Sequence, residues 1–314
     1  MIKRIVIFLC AGFIFTSFAA AQTRYAIIPE SPRPGEPVTI AADGNIKEAL
    51  LFVNGRQLAK SSFFLVPASE SKPGFTAAVL TIPSTARPGG AIIRLNNENG
   101  IIREILFTIA PRDFAAEIIE LNPVLTGIRT DPSPQRTEEA NRLWAILSTT
   151  GNQIYHTGTF ITPVTSTRRT SFFGDRRVYQ YSDGNTDTSI HAGVDFGVPA
   201  GTSVVACGAG RVVLAGMRIV TGNSVIIEHA PGIYSLYYHL NSISVREGDI
   251  IEAGTLLGLS GSTGLSTGPH LHWEVRVSTE NTDPDAFITR PIIDKDLIIS
   301  RIESASLTMR KGGE

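Results

Sequence analysis

The stretch GPHLHWEV, Gly268 to Val275, decides how the rest of this 314-residue chain is read. On a β-strand alternate side chains share a face. His270, His272 and Glu274 therefore point one way, and Leu271, Trp273 and Val275 the other. A polar face is thus backed by an apolar one. Two strand residues rise about 6.6 Å. Both imidazoles can then converge on one metal ion, or one binds it while the other stands beside it, and the spacing does not choose. Glu274 reads as a plain exposed glutamate in preference to an acceptor that fixes a ring.

Working outward, SGSTGLSTG (Ser260 to Gly268) lacks a phosphate-loop lysine and leads into a strand, so no helix N-terminus is there to hold phosphate. It reads as a tight turn that delivers His270 and His272. HAGVDFG (His191 to Gly197) adds an imidazole and a carboxylate four residues apart. Its glycines disfavour a helix and suit a loop entering a strand. YSLYYHL places Ser235, Tyr237 and His239 on one face and Leu236, Tyr238 and Leu240 on the other. In VIIEHA, His229 falls with Val225 and Ile227 on an apolar face, which predicts a hydrogen-bonded core histidine. His156, further upstream, reads as exposed. Two histidines and one aspartate leave the fourth tetrahedral position of a zinc ion to water, the mark of a catalytic site. Non-haem iron also accepts two histidines and a carboxylate, but His191 and Asp195 have the wrong spacing for it. Four histidines plus Asp195 leave two imidazoles to move protons near neutral pH, which are the parts for hydrolysing an amide.

The remainder sets the frame. The formal charge is -1, with 42% hydrophobic and 18% charged residues, so nothing points to nucleic acid. Lys3 and Arg4, the apolar run Ile5 to Phe18 and the small residues before Gln22 predict a cleaved signal peptide over 1–21. An uncleaved anchor is the alternative. Cleavage leaves Cys207 as the one cysteine, so no intramolecular disulfide forms, and its apolar setting predicts buried packing. Residues 24–110 read as an immunoglobulin-like β-sandwich, with hairpin turns at Asn54-Gly55 and Asn99-Gly100. Residues 111–158 read as a helical connector, carried by AAEIIEL and TEEANRLWAILST, in which Leu143, Ile146 and Leu147 follow helical spacing. Residues 159–290 return to a glycine-rich β pattern, and 291–314 read as a C-terminal tail. The fold class is thus mostly β.

HAGVDFGVPAGTSVVACGAGRVVLAG, LYYHL, VREGDIIEAGTLLGLSGSTGLSTGPHLHWEV and the upstream SFFGDR resemble the lysostaphin-type peptidoglycan metalloendopeptidases. The likeness runs from about Ser171 to Val277, with three separated motifs in the family's order, and leaves out the N-terminal sandwich. It implies a small antiparallel β fold with a narrow groove and one zinc ion. It casts His191, Asp195 and His272 as metal ligands and His239 and His270 as the catalytic pair. Arg176 in SFFGDR matches a recurrent arginine, as a substrate contact or as a surface salt bridge. Tyr179 or Tyr181 would lie near the reacting carbonyl, or in a solvent-exposed turn.

The resulting expectation is an exported, periplasmic or envelope-associated zinc endopeptidase that cuts peptidoglycan peptides, with no stable membrane insertion after signal cleavage. A catalytically silent regulator or wall-binding module, and a zinc carboxypeptidase acting on stem peptides, are the alternatives. The N-terminal sandwich is a candidate surface for a protein partner.

Overall fold

The computed structural model describes residues 24–70 and 72–311; the leader expected over 1–21 lies outside them. Eight strands come first: β1 (Tyr25–Ile28), β2 (Pro37–Ala42), β3 (Glu48–Val53), β4 (Arg56–Ser62), β5 (Phe64–Val66), β6 (Phe75–Thr81), β7 (Gly89–Asn97) and β8 (Gly100–Ile109). They form two antiparallel sheets, β1-β2-β6-β5 and β4-β3-β7-β8. Period-two patterning explains the pairing of faces: in β3, Ala49, Leu51 and Val53 are buried and their neighbours less so. Inward residues of both sheets, including Ile40, Leu51, Leu80 and Ile93, make one core. Asn54 (φ 51°) and Gly55 (φ 76°) form the expected tight turn. At the second Asn-Gly pair only Gly100 has positive φ, 118°, and it pairs with Asn97. The turn is therefore Glu98-Asn99, with the glycine just past it.

The connector holds β9 (Ala116–Glu120), α1 (Pro123–Arg129) and α2 (Pro134–Ser148). Asn122 Oδ1 accepts from the Leu125 amide at 2.9 Å and caps α1, and a proline opens each helix. On α2, Leu147 is buried, with Leu143 and Ile146 packed beside it against Leu214, Ile226 and Leu236. The helical reading of AAEIIEL is wrong: this segment is the strand β9. Five residues make a weak helix on their own, and an available sheet edge suits Ile118 and Ile119.

The remaining strands are β10 (Arg169–Ser171), β11 (Arg176–Gln180), β12 (Thr186–Ile190), β13 (Val194–Phe196), β14 (Ser203–Val205), β15 (Gly210–Arg218), β16 (Gly222–Ala230), β17 (Ile233–Ile243), β18 (Ile250–Ile251), β19 (Leu256–Ser260), β20 (Leu271–Val277) and β21 (Glu280–Thr282). The main sheet runs β10-β13-β20-β17-β16-β15-β18, and β14 and β21 attach at its margins through β19 and β20. A small sheet, β12-β11-β9, stands beside it, with β9 parallel to β11. Two helices follow, α3 (Asp285–Thr289) and α4 (Lys295–Lys311). The tail expected over 291–314 is therefore largely helix. Ile298 and Ile302 sit one helical turn apart and are buried with Ile292 and Ile293 in the core that also holds Ala26 and Ala41. That shared core, the Thr39 hydroxyl donating to the Ile292 carbonyl at 3.0 Å and the ion pair of Arg112 with Asp283 at 2.7 Å lock the sandwich to the second β unit.

Candidate active site

Strand register builds the centre. Asp195 on β13 lies directly opposite His272 on β20, which lies opposite Tyr238 on β17. Residues opposite each other share a face, so the three stand in a row. Tyr238 stacks flat on the His272 ring, centroids 5.5 Å apart and planes 2° from parallel. His191 enters from the loop between β12 and β13. Gly193 lets that loop lie on β20, since a Cβ there would stand 2.2 Å from the Trp273 carbonyl oxygen. His191 Nε2 lies 3.2 Å from Asp195 Oδ1 and 3.0 Å from His272 Nδ1, and His272 Nδ1 lies 2.7 Å from Asp195 Oδ1.

The outer nitrogens fix the tautomers. His191 Nδ1 donates to the Phe172 carbonyl at 2.8 Å, and His272 Nε2 donates to Glu274 Oε1 at 2.9 Å. In the neutral rings both inner nitrogens are then bare lone pairs, facing each other and a carboxylate oxygen. Three acceptors so close together are matched by positive charge between them, a proton on His272 or a metal ion. Zinc bonds of about 2.0–2.1 Å in tetrahedral geometry set ligand atoms about 3.3 Å apart, so this donor set fits the ion. The neighbouring carboxylates favour positive charge at this point. Burial disfavours a charged His272, but Asp195 and then Glu274 outweigh it and raise its pKa to about 9. Burial also opposes a charged Asp195, but His272 and His191 hold its carboxyl well below the usual range.

His239 and His270 flank this set, with ring centroids 4.8 Å apart. His239 Nδ1 donates to the Thr263 carbonyl at 2.7 Å and His270 Nδ1 to the Gly268 carbonyl at 2.8 Å. The glycine-rich turn thus orients both rings and leaves each Nε2 as an acceptor; that of His270 lies 3.8 Å from Asp195 Oδ1. Burial, then the neighbouring rings of His270 and His272, lowers His239 to about 3. Burial likewise lowers His270, against the pull of Asp195.

Two strand-face readings need correction. Ser235 and Tyr237 do not share a face with His239. His239 has φ 62°, and this left-handed residue inverts the alternation: Tyr237 and Leu240 belong to one core, Leu236 and Tyr238 to the other. Glu274 is not exposed but 4% accessible, and it accepts from Arg276 Nε at 2.8 Å as well as from His272.

Arg176 does not reach the centre. It donates to the Ser84 carbonyl at 2.7 Å and lies over Phe114, 4.4 Å from the ring centroid. Its neighbour Arg177, on the other face of β11, donates to Asp195 Oδ2 at 3.0 Å and to Ser171 Oγ at 2.8 Å. The sequence reading missed Arg177, Ser171 and Glu117. Alternation from Tyr179 points to Arg177, but no motif marks Glu117. Tyr179 lines the groove, with Arg129 stacked 3.8 Å over its ring. The Tyr181 hydroxyl accepts from Arg129 Nε at 3.1 Å and faces Asp187, outside the groove. The groove is narrow, about 90 Å³, between Ile119, Leu121 and Tyr179 on one side and Leu265 to Thr267 on the other. Clefts of about 570 and 550 Å³ open elsewhere, and neither contains a histidine.

Fold and donor set together define a class: a mostly antiparallel β protein in which two imidazoles and one carboxylate converge, with two further imidazoles beside them. Residues 189–284 match the profile of Peptidase family M23. The chain is 39% identical over 124 residues to DD-carboxypeptidase/endopeptidase Mpg of Neisseria meningitidis, covering 40% of this chain and 28% of that protein. It is 40% identical over 110 residues to peptidoglycan DD-endopeptidase ShyA of Vibrio cholerae, covering 35% and 25%. The chain thus spans about a quarter of the length of these curated relatives. A solved structure of a protein assigned to peptidase M23 from Pseudomonas aeruginosa superposes with TM-score 0.58 at 26% identity, covering 82% of this chain and 94% of that one. Residues 189–284 thus carry a Peptidase family M23 domain.

Proposed function

We propose that this protein is an exported zinc endopeptidase that hydrolyses peptide bonds in cell-wall peptidoglycan. The observation that carries the reading is the inward trio of His191 Nε2, Asp195 Oδ1 and His272 Nδ1, with both ring tautomers fixed from outside and two further imidazoles alongside. His191, Asp195 and His272 would hold the ion. Zinc in such a site supplies a Lewis acid for the scissile carbonyl and a water of lowered pKa. His239 and His270 present unprotonated Nε2 atoms, so one takes the water proton and returns a proton to the leaving amine. The other accepts the second O–H of that water and orients it for attack. The narrow groove holds an extended peptide between its walls and sheds water around the reacting bond.

Export rests on the leader pattern over 1–21. No helix among the described residues is long and apolar enough to cross a membrane. The organisation we propose is a leader, an immunoglobulin-like sandwich over 24–110, a connector over 111–158 and a peptidase unit over 159–290, the sandwich offering a surface to a protein partner. The name of the Neisseria relative couples carboxypeptidase with endopeptidase, which favours trimming of stem peptides as a second reading. Digestion of purified peptidoglycan with mass spectrometry of the products tests both. Interior cuts support the endopeptidase and loss of single terminal residues the carboxypeptidase, while absence of any cleavage by the zinc-loaded protein refutes both.

A further inference from the structure

The family match begins at residue 189, yet Asp195 is held by residues that precede it. A carboxylate ligand has two oxygens. Asp195 turns Oδ1 toward the two histidines, and Oδ2 accepts from Arg177 Nη2 at 3.0 Å. Arg177 is itself held: Nε donates to Glu117 Oε1 at 2.5 Å and Nη2 to Ser171 Oγ at 2.8 Å. The Ser171 hydroxyl also lies 3.0 Å from Glu117 Oε1 and 3.2 Å from His191 Nδ1, so the group touches two of the three metal-facing residues. Arg177 and Asp195 are nearly enclosed, with 13% and 10% of their side chains accessible. An arginine placed there is costly unless its charge is matched and its donors are used. Glu117 does both, from the register position directly opposite on the neighbouring strand.

Glu117 lies on β9, the strand contributed by the connector. We infer that Glu117 and Arg177 are positioning residues of the metal centre. Glu117 orients the Arg177 guanidinium, which pins Asp195 Oδ2 and keeps Oδ1 aimed at the ion, so that β9 completes a ligand lying almost 80 residues further along the chain. Without the pair, Asp195 can rotate away from the histidines and one buried oxygen loses its donor. The inference rests on the reading of His191, Asp195 and His272 as zinc ligands.

The test is zinc affinity, read by competition with a chromophoric chelator on the full mature chain, for Glu117→Gln and Arg177→Lys. Outer partners of metal ligands are typically worth about 10- to 100-fold in affinity, and each variant is expected to fall in that range. The double variant should lose little more than the worse single, because both act along one path. Cobalt-loaded variants should show altered ligand-field bands, which a purely structural loss would not produce. Glu120→Gln, on an exposed position of the same strand, should bind like the parent. If a variant fails to fold, Ser171→Ala replaces it, with a several-fold weakening expected. Affinities within twofold of the parent, for the two variants or for that substitute, would overturn the inference. A parent chain that binds no zinc would instead overturn the ligand reading beneath it.

Discussion

Two histidine clusters lie on opposite faces of β17, and they differ in what their nitrogens meet. On one face His229 is fully buried and fully used: Nδ1 donates to the Ala209 carbonyl at 2.7 Å and Nε2 accepts from Ser235 Oγ at 2.7 Å. Ser235 Oγ is in turn 3.0 Å from the Tyr237 hydroxyl, which accepts from the Cys207 amide at 2.9 Å. His156, half-buried and not exposed as its sequence position suggested, stacks on Phe160 beside it. On the other face the histidines are equally well held at their outer nitrogens, yet the inner nitrogens of His191 and His272 converge with a carboxylate and have only one another to face. Burial alone does not separate the two sets. The separation is satisfaction: a histidine with both nitrogens matched is architecture, and convergent unmatched lone pairs are a place for a cation.

The comparison breaks most sharply at His272. His272→Ala should abolish stoichiometric zinc and reduce peptide hydrolysis to background, read by elemental analysis and product release. Next in size, His270→Ala should keep its zinc and lose about 10²- to 10⁴-fold in turnover, the usual worth of a general acid or base; full activity would overturn its role. His229→Gln should leave zinc affinity unchanged and alter the pH dependence of stability. Burial holds the folded His229 at about 3, against an ordinary value of 6.5. Between those values the unfolded chain binds more protons, so stability rises with pH and is lost on acidification. The loss is about 1.4 kcal/mol per unit. The variant should show a correspondingly shallower slope between pH 4 and 6.5, measured by denaturant unfolding at each pH. The smallest effect belongs to Cys207, whose thiol is pushed up to about 12 by burial. Cys207→Ala should cost about 1 kcal/mol of stability and nothing in turnover.

Much of this contrast was legible in the sequence. His229 fell on an apolar face by simple alternation, and three spaced motifs carried His191, Asp195, His239, His270 and His272 to one unit. What escaped has identifiable causes. His239 reaches the centre through a left-handed residue, which period-two counting assigns to the wrong face. The motif marks Arg176, and its neighbour Arg177, which points the other way on the strand, is the one that meets Asp195. β9 escapes because a five-residue segment takes its conformation from the sheet it joins, and Glu117 is hidden with it. The Ile298 and Ile302 stripe of α4 is present in the sequence, inside the span that reads as tail.

The account stands on a cation held by His191, Asp195 and His272. Zinc per chain, measured by elemental analysis after equilibrium dialysis of the purified mature protein, tests it most directly. One zinc per chain is predicted, with peptide-bond cleavage abolished by chelation and restored on reloading. Zinc far below one per chain, or cleavage undiminished after the metal is stripped, would contradict it.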